Sequence, residues 1–478
     1  MNTPSRSAQI ISLVTLAAVL AACAGPRPGQ PEQAAVTLPA QWREPLASTQ
    51  GISLSRWWEA FGDPVLNQLV DQVLAGNSDL AMAAARVQQA RASSRLATAQ
   101  RMPSLSASGM GAHQGDVDAF GRARVQDAWQ AELSLSYELD LFGRLADLDA
   151  AARASLLATD AARSTLRLAL IATATSTYIG LRAQQARLEV LDQTLEMRAQ
   201  SLQLARRRAQ QGYASRLEVE QSQSEYAATE QLIASTRMSI SRNEHALALL
   251  AGQPALLVAP GAGLQALALP AFRPDQPAAL LRQRPDIFQA EQQLVAADHT
   301  LDAARAALMP SLRIGLSGGV VGSNLLPDPL SIFSAGGSIL APLLDGGRLR
   351  AQADATAARR DEAAYAYQKA VLVAWRDVED ALAAARGAQA QQQAVQEQEV
   401  ALREALAMSR KRYRAGYSPY LEQLDAQRGL LSAQLLEVQA RADRLSAMVS
   451  LAQALGGGWE AERGQDLSPQ ASSSLARP

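Results

Sequence analysis

The 478-residue sequence contains one cysteine, Cys23. A single thiol makes no intrachain disulfide and no cysteine-based zinc site. The three histidines, His113, His245 and His299, lie far apart in the chain, which argues against a histidine-rich metal or catalytic cluster. No metal and no cofactor is expected. Lysine is almost missing: of 45 basic residues only Lys369 and Lys411 are lysine. The 45 basic residues face 46 acidic ones, a net charge of −1. The chain therefore lacks the basic footprint of a nucleic-acid partner. Aromatics make up 4% of the chain, and mean hydropathy is −0.08. Past the first two dozen residues no apolar run reaches the ~18 residues of a membrane helix. No His-Glu-x-x-His or phosphate loop is present and no nucleophile–base arrangement is recognisable, so no enzyme is expected.

What is present begins at the N-terminus. Residues 1–7 are short and polar with Arg6, and residues 10–22 are almost wholly apolar. This is the pattern of a secretory signal, too short for a permanent span. It ends in Leu20-Ala21-Ala22-Cys23, which resembles a bacterial lipobox. The expectation is a cleaved signal peptide and a lipid, such as palmitate, on Cys23. Acyl chains anchor by apolar burial, and stable attachment takes two or more signals. Ala24 follows, rather than the aspartate that retains enteric-type lipoproteins in the inner membrane, so the outer membrane is the expected address. Residues 24–39 form a Pro/Gly/Gln-rich tether.

The remainder is a repeat. Leu141-Phe142-Gly143-Arg144 corresponds to Asp345-Gly346-Gly347-Arg348, and Gln210-Gln211-Gly212-Tyr213 to Arg414-Ala415-Gly416-Tyr417. Leu250-Ala251-Gly252 corresponds to Ala454-Leu455-Gly456, all at an offset of 204. Met102-Pro103-Ser104-Leu105 recurs letter for letter as Met309-Pro310-Ser311-Leu312, at an offset of 207. The difference of three falls between Leu105 and Leu141, where a surface loop is expected. Two copies of one unit follow from this register.

Each copy reads the same way. A helical stretch (65–101 or 277–308) ends at Met-Pro, because proline cannot continue a helix. Two short alternating segments follow, then a proline-free stretch from Arg144 to Gly212 or from Arg348 to Gly416, then a further helix. A helix of that length would reach about 100 Å. That exceeds the roughly 25 residues beyond which a coiled coil or helical repeat is the expectation. Gly212-Tyr213 and Gly416-Tyr417 are then the turns of two helical hairpins.

The alternating segments set the fold class. Trp129, Ala131, Leu133, Leu135, Tyr137 and Leu139 share one face; Gln130, Glu132, Ser134, Ser136, Glu138 and Asp140 share the other. Leu312, Ile314 and Leu316 repeat the pattern, as do Phe333, Ala335 and Ile339. An apolar outer face, a polar inner face and interfacial aromatics, here Trp129 and Tyr137, mark a membrane β-barrel. A half-buried soluble sheet would show the same alternation. Four strands cannot close, and open edges are not viable in lipid. The chain must then oligomerise, and a trimer supplies twelve strands. Residues 113–128 and 321–332 are read as external loops.

These residues resemble a known family. Trp57-Trp58-Glu59-Ala60-Phe61-Gly62-Asp63-Pro64 is similar to the opening block of TolC-family outer-membrane efflux lipoproteins of the NodT type. Leu281-Arg282-Gln283-Arg284-Pro285-Asp286-Ile287 resembles the block that starts their second repeat. Arg412-Tyr413-Arg414-Ala415-Gly416, Leu424-Asp425-Ala426-Gln427-Arg428 and Ala454-Leu455-Gly456-Gly457-Gly458-Trp459 resemble their closing blocks. The resemblance implies a mainly α homotrimer with membrane β: a 12-stranded barrel in outer-membrane lipid above a periplasmic helical tube. It implies docking on a periplasmic adaptor and an inner-membrane RND transporter, and passive export of small molecules such as antibiotics. A type I protein-secretion duct has the same fold and stays open as the alternative.

The matching layout is a signal peptide (1–22), a lipidated tether and equatorial segment (23–56) and a first repeat (57–252, hairpin 103–140). An equatorial linker (253–276), a second repeat (277–459, hairpin 311–342) and a tail (460–478) complete it. By the resemblance, Leu421, Asp425 and Arg428, with Tyr413 nearby, hold a periplasmic aperture closed. Their spacings of four and three place the first three on one helical face. An ordinary solvated charged face reads the same way. Glu218 and Glu220 occupy similar places after the first turn, on a poorer local match. Gly212, Tyr213, Gly416 and Tyr417 are the expected adaptor contacts. Arg206, Arg207, Arg208, Arg410, Lys411, Arg412 and Arg414 precede them, where cations also favour a helix C-terminus.

Overall fold

The structure is a computed structural model and describes residues 27–34, 36–43, 55–117, 119–272, 277–457 and 459. The expected signal peptide, Cys23 and the tail from 460 lie outside the described residues. The elements are α1 (Pro64–Gly76), α2 (Ser78–Ala99), β1 (Ser104–Val117), β2 (Ala123–Leu139), α3 (Arg144–Gln210) and α4 (Arg216–Leu250). The second copy supplies α5 (Leu280–Gln283), α6 (Pro285–Ala306), β3 (Ser311–Ser323), β4 (Leu330–Leu340), α7 (Arg348–Arg414) and α8 (Tyr420–Ala454). The fold divides into two units.

The first unit comprises residues 1–36, 86–160 and 289–369 and holds the sheet. Its four strands run antiparallel in the order β1-β2-β3-β4, so the β2–β3 ladder joins the two repeats. Leu105, Leu135, Leu316 and Ala335 pair across one level. One residue along, on the opposite face, Ser106, Ser134, Ser317 and Ser334 do the same. Apolar and polar faces are thus continuous across all four strands. Trp129 and Tyr137 both stand on the apolar face, opposite Gly322 and Ile314. Gly322 makes room for the indole: a Cβ there would come within 2.5 Å of the Trp129 ring.

Two expectations about this unit need correction. Residues 113–128 and 321–332 are not loops throughout, because β1 runs on to Val117 and β2 starts at Ala123, while β3 runs on to Ser323 and β4 starts at Leu330. Residues 113–117 and 123–128 are mostly polar or small, so hydrophobic alternation fades while the backbone ladder continues. His113 faces Asp127 directly, with Nδ1 at 2.5 Å from the carboxylate. His299 lies 3.0 Å from Asp147, and Asp302 completes a cluster whose potential ligand atoms fall within 4.8 Å. Asp302 there is already held by the Arg27 guanidinium through two hydrogen bonds of 2.8 and 2.9 Å.

The strand-to-helix joints explain the motifs that revealed the repeat. The Asp140 carboxylate accepts from Leu145 N and Ala146 N at 3.1 and 2.7 Å. Asp345 accepts from Gly347 N and Leu349 N at 3.0 and 2.9 Å. Each carboxylate satisfies donors that a helix start leaves open. The capping aspartate sits at a different offset in each copy, which aligned letters do not reveal.

The second unit comprises residues 37–85, 161–288 and 370–478. Leu191, Ile233 and Leu431 form a buried cluster among α3, α4 and α8. Trp57, Trp58 and Phe61 are fully buried, and Asp63 caps α1 by accepting from Val65 N at 2.9 Å. The Tyr178 hydroxyl donates to Asp63 at 2.5 Å, and Arg182 donates to that hydroxyl at 2.7 Å. Burial, then Asp63, raises the Tyr178 pKa. Ala262 N also donates to Asp63, at 3.0 Å, so the opening block anchors the inter-repeat linker.

The stretch expected as one helix over 65–101 breaks at Asn77, whose backbone is extended with ψ 124°. Its Nδ2 donates to Leu250 O at 2.9 Å and its Oδ1 accepts from Leu80 N at 3.1 Å. The second copy breaks at Arg284, since Pro285 biases its neighbour to extended geometry. Arg284 donates to Ala454 O at 3.0 Å, so a different side chain closes the equivalent joint.

Candidate functional site

The long helices α3 and α7 each end at a glycine in the left-handed region, Gly212 at φ 80° and Gly416 at φ 78°. Tyr213 N and Tyr417 N donate back to Arg208 O and Arg412 O at 2.8 and 2.9 Å, closing each helix end. Ser215 starts α4 by accepting from Glu218 N at 3.2 Å. Tyr213 and Tyr417 are 81% and 82% exposed, so each turn presents an uncovered aromatic. Several of the basic residues before the turns have partners. Arg206 reaches Gln223 at 2.5 Å, Arg412 reaches Glu422 at 3.0 Å, and Arg208 stacks 5.0 Å over the Tyr413 ring. Arg207, Lys411 and Arg414 are exposed.

Behind the turns the two helical hairpins are clasped. The Tyr413 hydroxyl, on α7, donates to the Glu218 carboxylate on α4. Tyr413 also packs against Tyr420, with ring centroids 5.6 Å apart. Ser222 donates to the Tyr420 hydroxyl at 2.9 Å. Burial first, and Glu218 second, push the Tyr413 pKa up to about 12. Glu218 therefore belongs to this clasp, whereas Glu220 faces Arg216 at 3.6 Å on the surface.

Leu421, Asp425 and Arg428 form one exposed stripe on α8. Within the chain Asp425 and Arg428 barely meet, at 4.0 Å. Arg428 turns instead to Glu225 on α4, donating from Nε and Nη2 at 2.8 and 2.5 Å. Glu225 is buried and is also held by buried Arg198 at 2.7 Å. Arg198 further donates to Glu225 O and Thr229 Oγ1 at 2.7 and 2.6 Å. Burial lowers the Arg198 pKa, and the hydrogen bond with Glu225 raises that of Arg428. One carboxylate thus ties α3 to α4 and both to α8. Neither Glu225 nor Arg198 stands out in the sequence. The signal for Glu225 is the polar stripe Glu218, Ser222, Glu225 and Thr229, at helical spacing on α4.

The outer membrane efflux protein family model matches residues 69–253 and 277–457, one match per repeat. The chain belongs to the outer membrane efflux protein family. It is 35% identical over 466 residues to the pyoverdine export outer membrane protein OpmQ of Pseudomonas putida, covering 95% of this chain and 98% of that one. It is 32% identical to the toluene efflux pump outer membrane protein TtgC of Pseudomonas putida, covering 95% and 97%. Among solved structures, the outer-membrane channel OprN superposes with a TM-score of 0.80 at 30% identity, covering 91% and 99%. The open state of the Neisseria gonorrhoeae MtrE channel superposes at 0.79 with 28% identity, covering 91% and 98%.

This efflux protein therefore has the trimeric fold of the outer-membrane channels, an α-helical tube with a β-barrel. It is a passive outer-membrane duct for efflux and not an enzyme. The unpaired edges of β1 and β4 are accounted for, because three copies of a four-stranded sheet close one barrel.

Proposed function

We propose that this duct takes small molecules from a periplasmic adaptor and an inner-membrane RND transporter, and that the clasp at its hairpin turns holds the periplasmic aperture closed until the adaptor docks. The observation that carries the reading is the shared carboxylate. Glu225 accepts from Arg198 within its own hairpin and from Arg428 on the other hairpin. A hairpin that swings outward must give up the Arg428 and Tyr413 bonds while keeping Arg198–Glu225. Leu421 and Asp425 remain exposed beside this clasp, and threefold symmetry makes a ring of each. The exposed turns around Gly212, Tyr213, Gly416 and Tyr417 are the surface the adaptor grips. Trp129 and Tyr137 sit at the two membrane interfaces. Cys23 carries the acyl anchor, in the periplasmic leaflet of the outer membrane.

The cargo class proposed is small organic molecules, in keeping with relatives named for pyoverdine export and toluene efflux. Those names favour a pump over a protein-secretion duct. The test is single-channel recording of Asp425→Ala in a planar bilayer. The aperture reading expects a higher conductance than the unmodified protein. Unchanged conductance together with unchanged antibiotic leakage in cells removes Asp425 from the gate.

A further inference from the structure

Arg360 is 0% exposed, on the part of α7 that belongs to the sheet-bearing unit. A buried guanidinium needs acceptors for its donors. Here two of them are backbone carbonyls of residues 28 and 29: Nη1 and Nη2 donate to Pro28 O at 3.2 Å, and Nη2 to Gly29 O at 2.8 Å. Farther along, Gln368 donates to Gln33 O at 2.9 Å. Residues 27–34 therefore lie as a strap on α7. At its start Arg27 crosses to α6, donating to both oxygens of Asp302 at 2.8 and 2.9 Å and reaching Asp298 at 3.1 Å.

What Arg27 holds is part of a set of metal-ligating groups. His299 and Asp302 are three residues apart and share one face of α6. Asp147 comes to them from the first turn of α3, with Oδ1 at 3.0 Å from His299 Nδ1. One ligand atom from each of the three lies within 4.8 Å of the other two. One imidazole nitrogen and two carboxylate oxygens suit a zinc-type ion, with a fourth position left for water. Ligand atoms around a tetrahedral zinc stand about 3.4 Å apart, so these groups need to close in by about 1 Å. The side chains of His299, Asp147 and Asp302 are 37%, 25% and 31% exposed, so an ion reaches them from solvent. The obstacle is Arg27, which occupies both oxygens of Asp302. That guanidinium has another acceptor at hand. Arg27 already touches Asp298 Oδ2, and Asp298 Oδ1 is buried with no hydrogen bond, Arg360 standing 3.5 Å from it. Asp298 lies one helical turn before Asp302, on the same face.

We infer that Asp147, His299 and Asp302 form a binding site for a divalent transition-metal ion of the zinc type, and that this ion and the Arg27 guanidinium are alternative partners of Asp302. When zinc binds, Arg27 moves onto Asp298 and the strap gives up its bond to Asp302. The scattered histidines argued against a metal, but one histidine suffices when the fold brings two carboxylates to it.

The test is isothermal titration calorimetry of the tag-free trimer, cleared of metal by a chelator, with zinc chloride. The expected result is one ion per chain. His299→Ala should abolish that binding, and Asp147→Asn should weaken it about tenfold or more. Native gels check that the variants remain trimers, and Asp147→Asn carries the comparison if His299→Ala does not assemble. Arg27→Ala frees Asp302 and should tighten zinc binding about tenfold. By reciprocity zinc loosens the Arg27–Asp302 bond by the same factor. Hydrogen exchange of residues 27–34, followed by mass spectrometry, should therefore quicken several-fold when zinc is added to the unmodified trimer, and not in His299→Ala. An absence of saturable zinc binding, or binding that both His299→Ala and Asp147→Asn leave unchanged, overturns the site. Binding that depends on His299 but is unchanged or weaker in Arg27→Ala overturns the exchange with the strap.

Discussion

Replacing Arg428 by Gln cuts the bond between the hairpins and leaves the Arg198–Glu225 pair inside one hairpin intact. Arg428 is 55% exposed at its side chain, so solvent screens the pair. An exposed, two-donor bond of this kind contributes up to about 1 kcal/mol. Three copies that open together add to about 3 kcal/mol, roughly a 150-fold shift of the closed-to-open equilibrium. Glu225→Gln acts differently. Arg198 is 6% exposed and loses its only carboxylate contact among the described residues, at a cost of about 3–5 kcal/mol. That cost falls on the α3–α4 hairpin whether the aperture is open or closed. Single-channel recording and trimer thermal stability therefore separate the two variants. Arg428→Gln should raise open probability by about two orders of magnitude at nearly unchanged stability. Glu225→Gln should lower trimer stability clearly. If Arg428→Gln leaves open probability within about twofold of the unmodified channel while Glu225→Gln destabilises it, the clasp is a packing feature and the gating argument fails.

Three further outcomes follow from single residues. Tyr413 keeps its proton more tightly folded than unfolded, so its contribution is complete below pH 10, the ordinary tyrosine value, and is lost as pH rises towards about 12. Conductance of the unmodified channel should climb over that window, and Tyr413→Phe should flatten the response. Asp149 is buried, which pushes its pKa up, yet hydrogen bonds from Thr98 and Arg101 and the nearby Arg153 hold it below 3.8. Its contribution is complete above pH 3.8 and disappears as pH falls through the depressed folded value, so Asp149→Asn should lose the steepest part of acid unfolding followed by helix circular dichroism. Gly322→Ala puts a Cβ into the Trp129 ring and should destabilise the assembled barrel by about 1–3 kcal/mol, read as a lower dissociation temperature of the trimer on semi-native gels.

The repeat, the long helices and the hairpin turns were legible because each depends on local signals. Proline after Met102 and Met309 stops a helix, glycine at 212 and 416 allows the left-handed turn, and Trp129 to Leu139 alternates at strand period. The far ends of β1 and β2 were not legible, since His113, Gln114, Asp116, Arg124, Gln126 and Asp127 put polar side chains on both faces and leave no apolar alternation there. The helix break at Asn77 was not legible because its side chain closes on a carbonyl 173 residues away, whereas the break at Arg284 had a local signal in Pro285. At the candidate site the stripe Leu421, Asp425 and Arg428 followed from spacing alone. Its partner Glu225 did not: a buried carboxylate between two arginines of different hairpins is a tertiary arrangement, and the chain carries 46 acidic residues from which to choose. The same holds for Arg360, one arginine among 43, whose acceptors are backbone carbonyls with no letter of their own.

Extraction of the protein from outer membranes, followed by native mass spectrometry and planar-bilayer recording of the same sample, tests the central claim most directly. The account predicts three copies of the chain per particle and a pore that conducts little until Arg428 is replaced. A monomer or dimer, or a trimer that conducts no ions even as Arg428→Gln, would contradict it.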